Sequence, residues 1–353
     1  MLNAGQGDSL VVRFPDNSWG VIDSNIPTGA TDPAALSFLQ GRSVDRLAFV
    51  CLTHPHADHF TGLERVFGYY GDRVDEFWIF SIDSAHLKKF LTVQHQKNAT
   101  SRAGRRRYEE LQNLFKIFCQ MDKTGSGRRL IGGLQLPSRG GVAIDCLSPL
   151  SADVGEYQNH LTRCARPEEY KANENLLSCV LRFRYGNSTI VLSSDAPTKA
   201  WQRMWKEAGK RKESFEAEGV KISHHGSRQG FHAQVWRHLA SSRGTSAVIS
   251  AGVGYGHPDR LVIESLHEMG VRLHCTNFPA LCLRREPRDL SKLHGLPQRA
   301  KLGLLMLDQS SHAPLLPCNG DIQFEIDADG TCIVHHQYDN FCPLHLPELN
   351  RGS

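Results

Sequence analysis

The chain has 353 residues, 40% of them hydrophobic and 22% charged, with a net charge of +4. These values fit a globular protein of one large domain or two with a substantial core, and so weak a positive surplus does not by itself identify a nucleic-acid partner. No apolar run approaches the roughly 18 residues that span a bilayer, no repeat period is visible, and "MLNAGQGDSL" lacks the basic and apolar regions of a secretory signal.

The predicted elements alternate strands with helices. "SLVVRF" and "WGVIDS" are β-rich and joined by "PDN", which reads as a hairpin. "RLAFVCLTH" reads as a buried strand and "DEFWIFS" as another. From Arg105 to Met121 the apolar positions Tyr108, Leu111, Leu114, Phe115 and Phe118 recur at helical spacing, between the basic flanks "SRAGRRR" and "GSGRR". "VAIDCLSP" predicts a strand, and "LLSCVLRFRYGNSTIVLSSD" a hairpin turning at Gly-Asn. "WQRMWKEAGKRKESFE" is helical and leads to "GVKISHHGS", a strand entering a polar loop. "SAVISAG" and "VRLHCT" are strands around the helix "HPDRLVIESLHEMG", with Pro258 near its start and Gly270 past its end. After about residue 279 the pattern weakens until a last hairpin, "DIQFEID" and "CIVHHQY". Two clusters of strands with interspersed helices predict two sheets packed face to face with helices outside.

"THPHADHFTGLE" crowds three histidines and an aspartate behind a buried strand. His54 and His56 alternate on a turn, so both imidazoles can reach one point; Asp58 and His59 are adjacent, diverge, and can serve a second. Imidazole nitrogen and carboxylate oxygen are the usual ligands of zinc and similar divalent ions, and two ions about 3.5–4 Å apart can activate a shared hydroxide. A merely solvated histidine loop explains the ligand types and their strand-end position less well. Two later strands end in further candidates: Asp195 in "TIVLSSD", then His224 and His225 in "VKISHHGS". His257 in "GYGHPDR" stands at a predicted helix start, where partial positive charge suits an anionic substrate.

"GQGDSL", "VIDS", "THPHADHFTGL", "LSSD", "ISHHGS" and "YGHP" occur in that order. The set resembles the metallo-β-lactamase fold, and specifically the branch containing the hydrolase domain of the DNA-uptake protein ComEC. The resemblance covers roughly residues 1–278. It implies an α+β protein of αββα sandwich type with two divalent ions, zinc or manganese, at one edge of the sheets. On the family pattern His54 and His56 hold one ion, Asp58 and His59 the other, Asp195 bridges them, and a histidine of "SHHGS", entered here as His225, completes the site. Asp23 resembles the aspartate that supports the metal loop. Asp8 and Ser9 are expected to line the cleft, and Ser227 is grouped with these supporting residues. Two departures stand out. Ser194 precedes the bridging aspartate where the family usually has glycine. Many members also carry a further ligand histidine upstream; His86, His95 and His160 sit in no recognisable motif, and "NENLLS", with Asn175 and Ser178, looks like the branch's replacement.

The branch implies a phosphodiesterase or nuclease acting through a metal-activated hydroxide. Asp58 is expected to orient that oxygen, and His257, or whichever of His224 and His225 is not a ligand, to stabilise charge or protonate the leaving group. From Lys97 to Arg129 nine Lys or Arg face three Asp or Glu, with Tyr108, Phe115 and Phe118 interleaved. This basic helical insertion, about residues 95–130, suits a nucleic-acid substrate, with Arg105, Arg106 and Arg107 as the phosphate contacts. A solvated helix whose aromatics face the core fits the same spacing. A small phosphodiester or ester is the alternative substrate, and a metal-binding sensor without turnover the alternative class. Most of the ten cysteines read as reduced thiols of a cytoplasmic protein. In the extension, residues 279–353, and just before it, Cys275, Cys282, Cys318 and Cys342 are candidates for one structural zinc, against plain burial.

Overall fold

The computed structural model describes residues 1–5, 7–164, 169–251, 256–277, 320–327 and 331–336. The first sheet has the order β1 (Leu10–Arg13), β2 (Trp19–Ile22), β3 (Phe49–Leu52), β4 (Phe77–Phe80) and β5 (Gly127–Leu130). β1 and β2 form the expected hairpin, with Leu10 opposite Ile22; every later pairing in this sheet is parallel. Between these strands lie α1 (Ala34–Gln40), the short α2 (Ala57–Phe60), α3 (Leu63–Tyr70), α4 (Ser84–Asn98) and α5 (Arg102–Lys123). All four residues of β3 and of β4 are buried, as a parallel strand covered on both faces requires.

The second sheet runs β12 (Arg272–Cys275), β11 (Ser246–Ile249), β10 (Gly219–Lys221), β9 (Ser188–Leu192), β8 (Val180–Tyr185), β7 (Val142–Ser148) and β6 (Gln135–Arg139). β6 to β9 are antiparallel and β9 to β12 parallel. Its outer helices are α7 (Thr198–Arg211), α8 (Ala233–Leu239) and α9 (Arg260–Glu268), whereas α6 (Ser151–Arg163) buries Val154, Tyr157 and Leu161 in the first sheet's cluster. The strand period of two divides its side chains between two cores. Ile144, Cys146, Leu181, Phe183 and Leu192 join the first sheet's residues, and Phe14 meets Phe183 at 6.3 Å between ring centroids. Val180, Val191 and Val220 face the opposite core with Trp201 and Met204 of α7, Trp236 of α8 and Leu266 of α9. Helices therefore cover the outer face of each sheet, and the layers are αββα.

This topology positions the site. β2, β3, β9, β10 and β11 run in parallel segments, so their carboxyl ends share an edge, where open sheets of this kind collect their ligands. Asp23, Thr53-His54, Asp195, His224-His225 and Ser250 follow those ends directly. A last hairpin, β13 (Ile322–Ile326) with β14 (Cys332–His336), pairs in register as expected and exchanges backbone hydrogen bonds with Met1 through Ile322.

Several expectations need correction. The basic stretch after the predicted helix is a strand, β5, in which Arg128 and Arg129 pair with Glu76 and Asp122. Phe115 and Phe118 are core residues, packed on Phe80 and Phe77, so neither offers a base-stacking surface. The helix expected from His257 begins at Arg260, and its cap is Asp259, whose carboxylate accepts from Leu261 N. Cys275 is buried in the core under α9, while Cys282, Cys318 and Cys342 lie outside the described residues.

Candidate metal centre

β3 delivers its C-terminal residues into a short turn and α2, so the histidines start from a fixed strand end. Gly7 is required there: a Cβ on it would lie 2.3 Å from Asp58 O, and its loop is tied to the same carbonyl by Asp8 N at 3.0 Å. Four of the seven non-glycine residues with left-handed backbone among the described residues belong to this centre: Asp23, Ser194, His224 and His225, at φ 56°, 47°, 50° and 54°. Strain of this kind collects at functional sites, where the surrounding structure enforces it.

Two groups of donor atoms lie within 4.8 Å of one another and share His59: one of His54, His59 and Asp195, the other of Asp58, His59 and His225. Asp195 Oδ1 is 3.4 Å from His59 Nε2, and its Oδ2 is 3.7 Å from His225 Nε2 and 3.9 Å from His54 Nε2. His225 Nε2 is 3.3 Å from Asp58 Oδ2. His54 Nε2, His59 Nε2, His225 Nε2 and Asp195 Oδ1 are all buried without a hydrogen bond. Their type, burial and convergence fit a divalent cation.

A third group, Asp8, Asp23 and His59, sits behind them. His59 Nδ1 approaches Asp23 Oδ2 at 2.7 Å, which turns Nε2 forward. Such a carboxylate behind a ligand imidazole fixes its tautomer. Asp8 and Ser9 were expected on the cleft wall; both are fully buried beneath the donors instead. Asp8 makes an ion pair with Lys221, which the sequence reading missed. Lys221 is 1% exposed, donates to Ser194 O at 2.8 Å and stands 3.5 Å from Asp195 Oδ1. A lysine inside the strand-like run "GVKIS", between Val220 and Ile222, was the available signal.

The charges follow from this packing. Although burial opposes ionisation, His59 and His225 hold Asp195 and Asp58 well below the usual carboxylate range. Burial likewise opposes protonation of His59 and His225, but Asp195 and the neighbouring carboxylates raise both. Burial, with His59 and His56 nearby, pushes His54 well down. Burial, with His225 and His257 adding to it, holds His224 down to about 4, and His257 is lowered by burial and His225.

His56 joins neither group, but its ring lies 4.6 Å from that of His54; its Nε2 faces Glu174 Oε2 at 3.6 Å, while Glu174 Oε1 accepts from Tyr170 and Gln94. Glu174 was also missed, although it adjoins Asn175 in "NENLLS". Asn175 Oδ1 and Ser178 Oγ are buried without hydrogen bonds. His86 bonds Asp83 and Thr162, His95 packs on Tyr108, and His160 is exposed on α6, so none supplies the upstream histidine. Of the His-His pair, His225 enters a donor group; His224 and His257 lie at the mouth, their rings 5.6 Å apart. Ser227 accepts from Gln229 N, which gives it a turn-capping role. Arg105, Arg106 and Arg107 are exposed in the first turns of α5. The same helix reaches the metal loop through Glu110 Oε1, which accepts from Gly62 N at 2.6 Å.

The family model of the metallo-beta-lactamase superfamily matches residues 2–77. No curated protein matches the chain. Among solved structures, a mutant of the β-hydroxylase CmlA is 13% identical with a TM-score of 0.42, over 78% of this chain and 52% of its own, so the chain spans about half the length of that protein. Zn(2+)-bound PqqB from Methylobacterium extorquens is 10% identical with a TM-score of 0.40, over 76% of this chain and 85% of its own. Human tRNase Z, short form, is 10% identical with a TM-score of 0.37, over 78% and 90%. The matched N-terminal segment carries the first strands and the histidine loop, and with its two packed sheets and the donors at their shared edge the chain has the metallo-β-lactamase fold.

Proposed function

We propose that the chain is a metal-dependent phosphodiesterase of the ComEC-like branch, with nucleic acid as its substrate class. The observation that carries this is the buried donor set itself: the Nε2 atoms of His54, His59 and His225 and Asp195 Oδ1, none hydrogen-bonded. Leaving such groups unsatisfied costs roughly 1–3 kcal/mol each, and a divalent cation, zinc or manganese, satisfies them together. His54 and Asp195 would contribute to one ion and Asp58, His59 and His225 to the other, because His59, engaged by Asp23 through Nδ1, has one lone pair to offer at Nε2. When bound, the ions lower the pKa of water and neutralise charge on the phosphoryl group.

The chain's own residues do the rest. Asp58, with 28% of its side chain exposed, reaches the mouth as a carboxylate and orients the attacking water. His224 and His257 are neutral near pH 7 and donate hydrogen bonds to the leaving oxygen rather than starting as charged acids. Glu174 holds His56 beside them. Arg105, Arg106 and Arg107 extend the site for a polyanion, on a helix tied to the metal loop. The burial of Phe115 and Phe118 favours a second reading, a small phosphodiester that needs no stacking surface.

The test is hydrolysis of single-stranded DNA against bis(p-nitrophenyl) phosphate, with zinc or manganese supplied and metal content measured. Preference for DNA supports the first reading, and activity on the small diester alone supports the second. Close to two ions per chain are expected. No bound metal and no metal-stimulated turnover on either substrate would overturn both.

A further inference from the structure

The residue before Asp195 is serine, and it adopts φ 47°, a conformation that glycine takes at less cost. Its hydroxyl lies 3.1 Å from His54 Nδ1 and 2.6 Å from Thr53 Oγ1. Thr53 Oγ1 donates to Asp23 Oδ2 at 2.6 Å, and Thr53 N donates to Asp23 Oδ1 at 2.8 Å. Asp23 Oδ2 also meets His59 Nδ1 at 2.7 Å. Three donors converge on this carboxylate, so it is the acceptor that ends the network.

Proton bookkeeping then assigns every bond. A hydroxyl carries one proton. Thr53 gives its proton to Asp23, so Ser194 must donate to Thr53. Ser194 has then spent its own proton and can only accept from His54, which must carry hydrogen on Nδ1. His54 Nε2 is left with its lone pair facing Asp195. We infer that Ser194 is a positioning residue: its hydroxyl links His54 through Thr53 to Asp23, so that one buried carboxylate sets the tautomers of both His54 and His59. Glycine at this position would relax the backbone but remove the link, leaving His54 only the 3.3 Å contact to Thr53 Oγ1. The retained strain is thus tied to the orientation of one imidazole.

The inference deepens the metal-centre reading and rests on it for ion affinity, but the tautomer is a property of the metal-free chain. The experiment compares the parent with Ser194→Ala, which keeps the backbone and loses the hydroxyl, and Ser194→Gly, which loses both. Nitrogen-15 spectra of histidine-labelled, metal-free protein should show His54 as the Nδ1–H tautomer in the parent and as a mixture in both variants. Zinc affinity, read by competition with a chromophoric chelator, should fall about 10-fold or more in both, as loss of an outer hydrogen bond to a ligand histidine does. Ser194→Gly should melt above Ser194→Ala. An Nδ1-bare His54 in the parent overturns the inference, and so do variants that keep the parent's tautomer and affinity. If the parent binds no divalent ion, the hydrolase reading fails, while the tautomer still decides the role of Ser194.

Discussion

Asp195 divides its two oxygens between five neighbours: Oδ1 toward His59 and Lys221, Oδ2 toward His54, His224 and His225. It meets imidazoles of both donor groups and the buried ammonium, so Asp195→Ala should lose metal as well as turnover. Asp58 contributes to one group only and reaches solvent, so Asp58→Ala should retain part of the metal but lower phosphodiester hydrolysis by about 10²–10⁴-fold. Hydrolysis rates, metal content and a melting curve separate the two; near-normal turnover in Asp58→Ala would refute its assignment. The imidazoles also fix a pH dependence. His59 and His225 are raised by the carboxylates around them, so an entering cation competes with protons for these two imidazoles. Their contribution to metal-free stability is complete below the ordinary imidazole value and is lost as pH rises through the raised ones. His54 and His224 are lowered, and their contributions change only on the acid side. Melting temperature of the metal-free chain should therefore fall from about pH 6.5 upward, and ion affinity should rise over the same range. Calorimetric titration in buffers of different ionisation heat should detect proton release; release of none near pH 7 would contradict the raised imidazoles.

Helix α5 carries two kinds of information that its sequence superimposes. The 3.6-residue period marks Leu111, Leu114, Phe115 and Phe118 as one face, and they are indeed the buried side. The arginines at its start lie on exposed turns. Phe118→Ala should then cost about 3–5 kcal/mol of stability, as deletion of a buried aromatic does, a loss visible in denaturant unfolding. An aromatic that stacked on bases would cost affinity instead. Replacing Arg105, Arg106 and Arg107 with glutamine should leave stability unchanged and flatten the salt dependence of single-strand binding, each phosphate contact contributing roughly 0.7 to the log–log slope. The strands that carry ligands were legible because each is a short apolar run ending in chemistry, as "AFVCL" before His54 and "TIVL" before Asp195. Helices α1, α3 and α8 are too short to show a period, α4 buries only Phe90 and Val93, and α6 sets a buried Asp153 among its apolar positions, so none of them stood out in the sequence. The ligand types were visible at their spacing. The convergence of His59 with Asp195 and His225, and the approach of His56 to Glu174, depend on how distant loops meet, which no local pattern encodes.

Lys221 joins the two halves of the molecule at the metal edge. It closes β10 of the second sheet, yet its ammonium meets Asp8 from the loop before the first sheet, Asp195 after β9 and the carbonyl of Ser194. Burial opposes its charge, but Asp8 and then Asp195 raise its pKa above the usual lysine value, so it stays protonated inside the protein. A buried pair of this kind contributes little net stability compared with an apolar replacement of both partners, whereas removal of one partner strands the other. Lys221→Met should therefore destabilise the chain by about 3–5 kcal/mol, with Asp8 left unpaired among His59 and His225. Asp8 would then compete for a cation, so added zinc or manganese should restore more stability to Lys221→Met than to the parent. The double variant Lys221→Met with Asp8→Asn removes the stranded charge and should regain much of the loss. Denaturant titrations of parent, single and double variants, each with and without metal, give the coupling directly. Additive losses in that cycle would mean that the lysine merely fills space, and that the two sheets are held at this edge by packing alone.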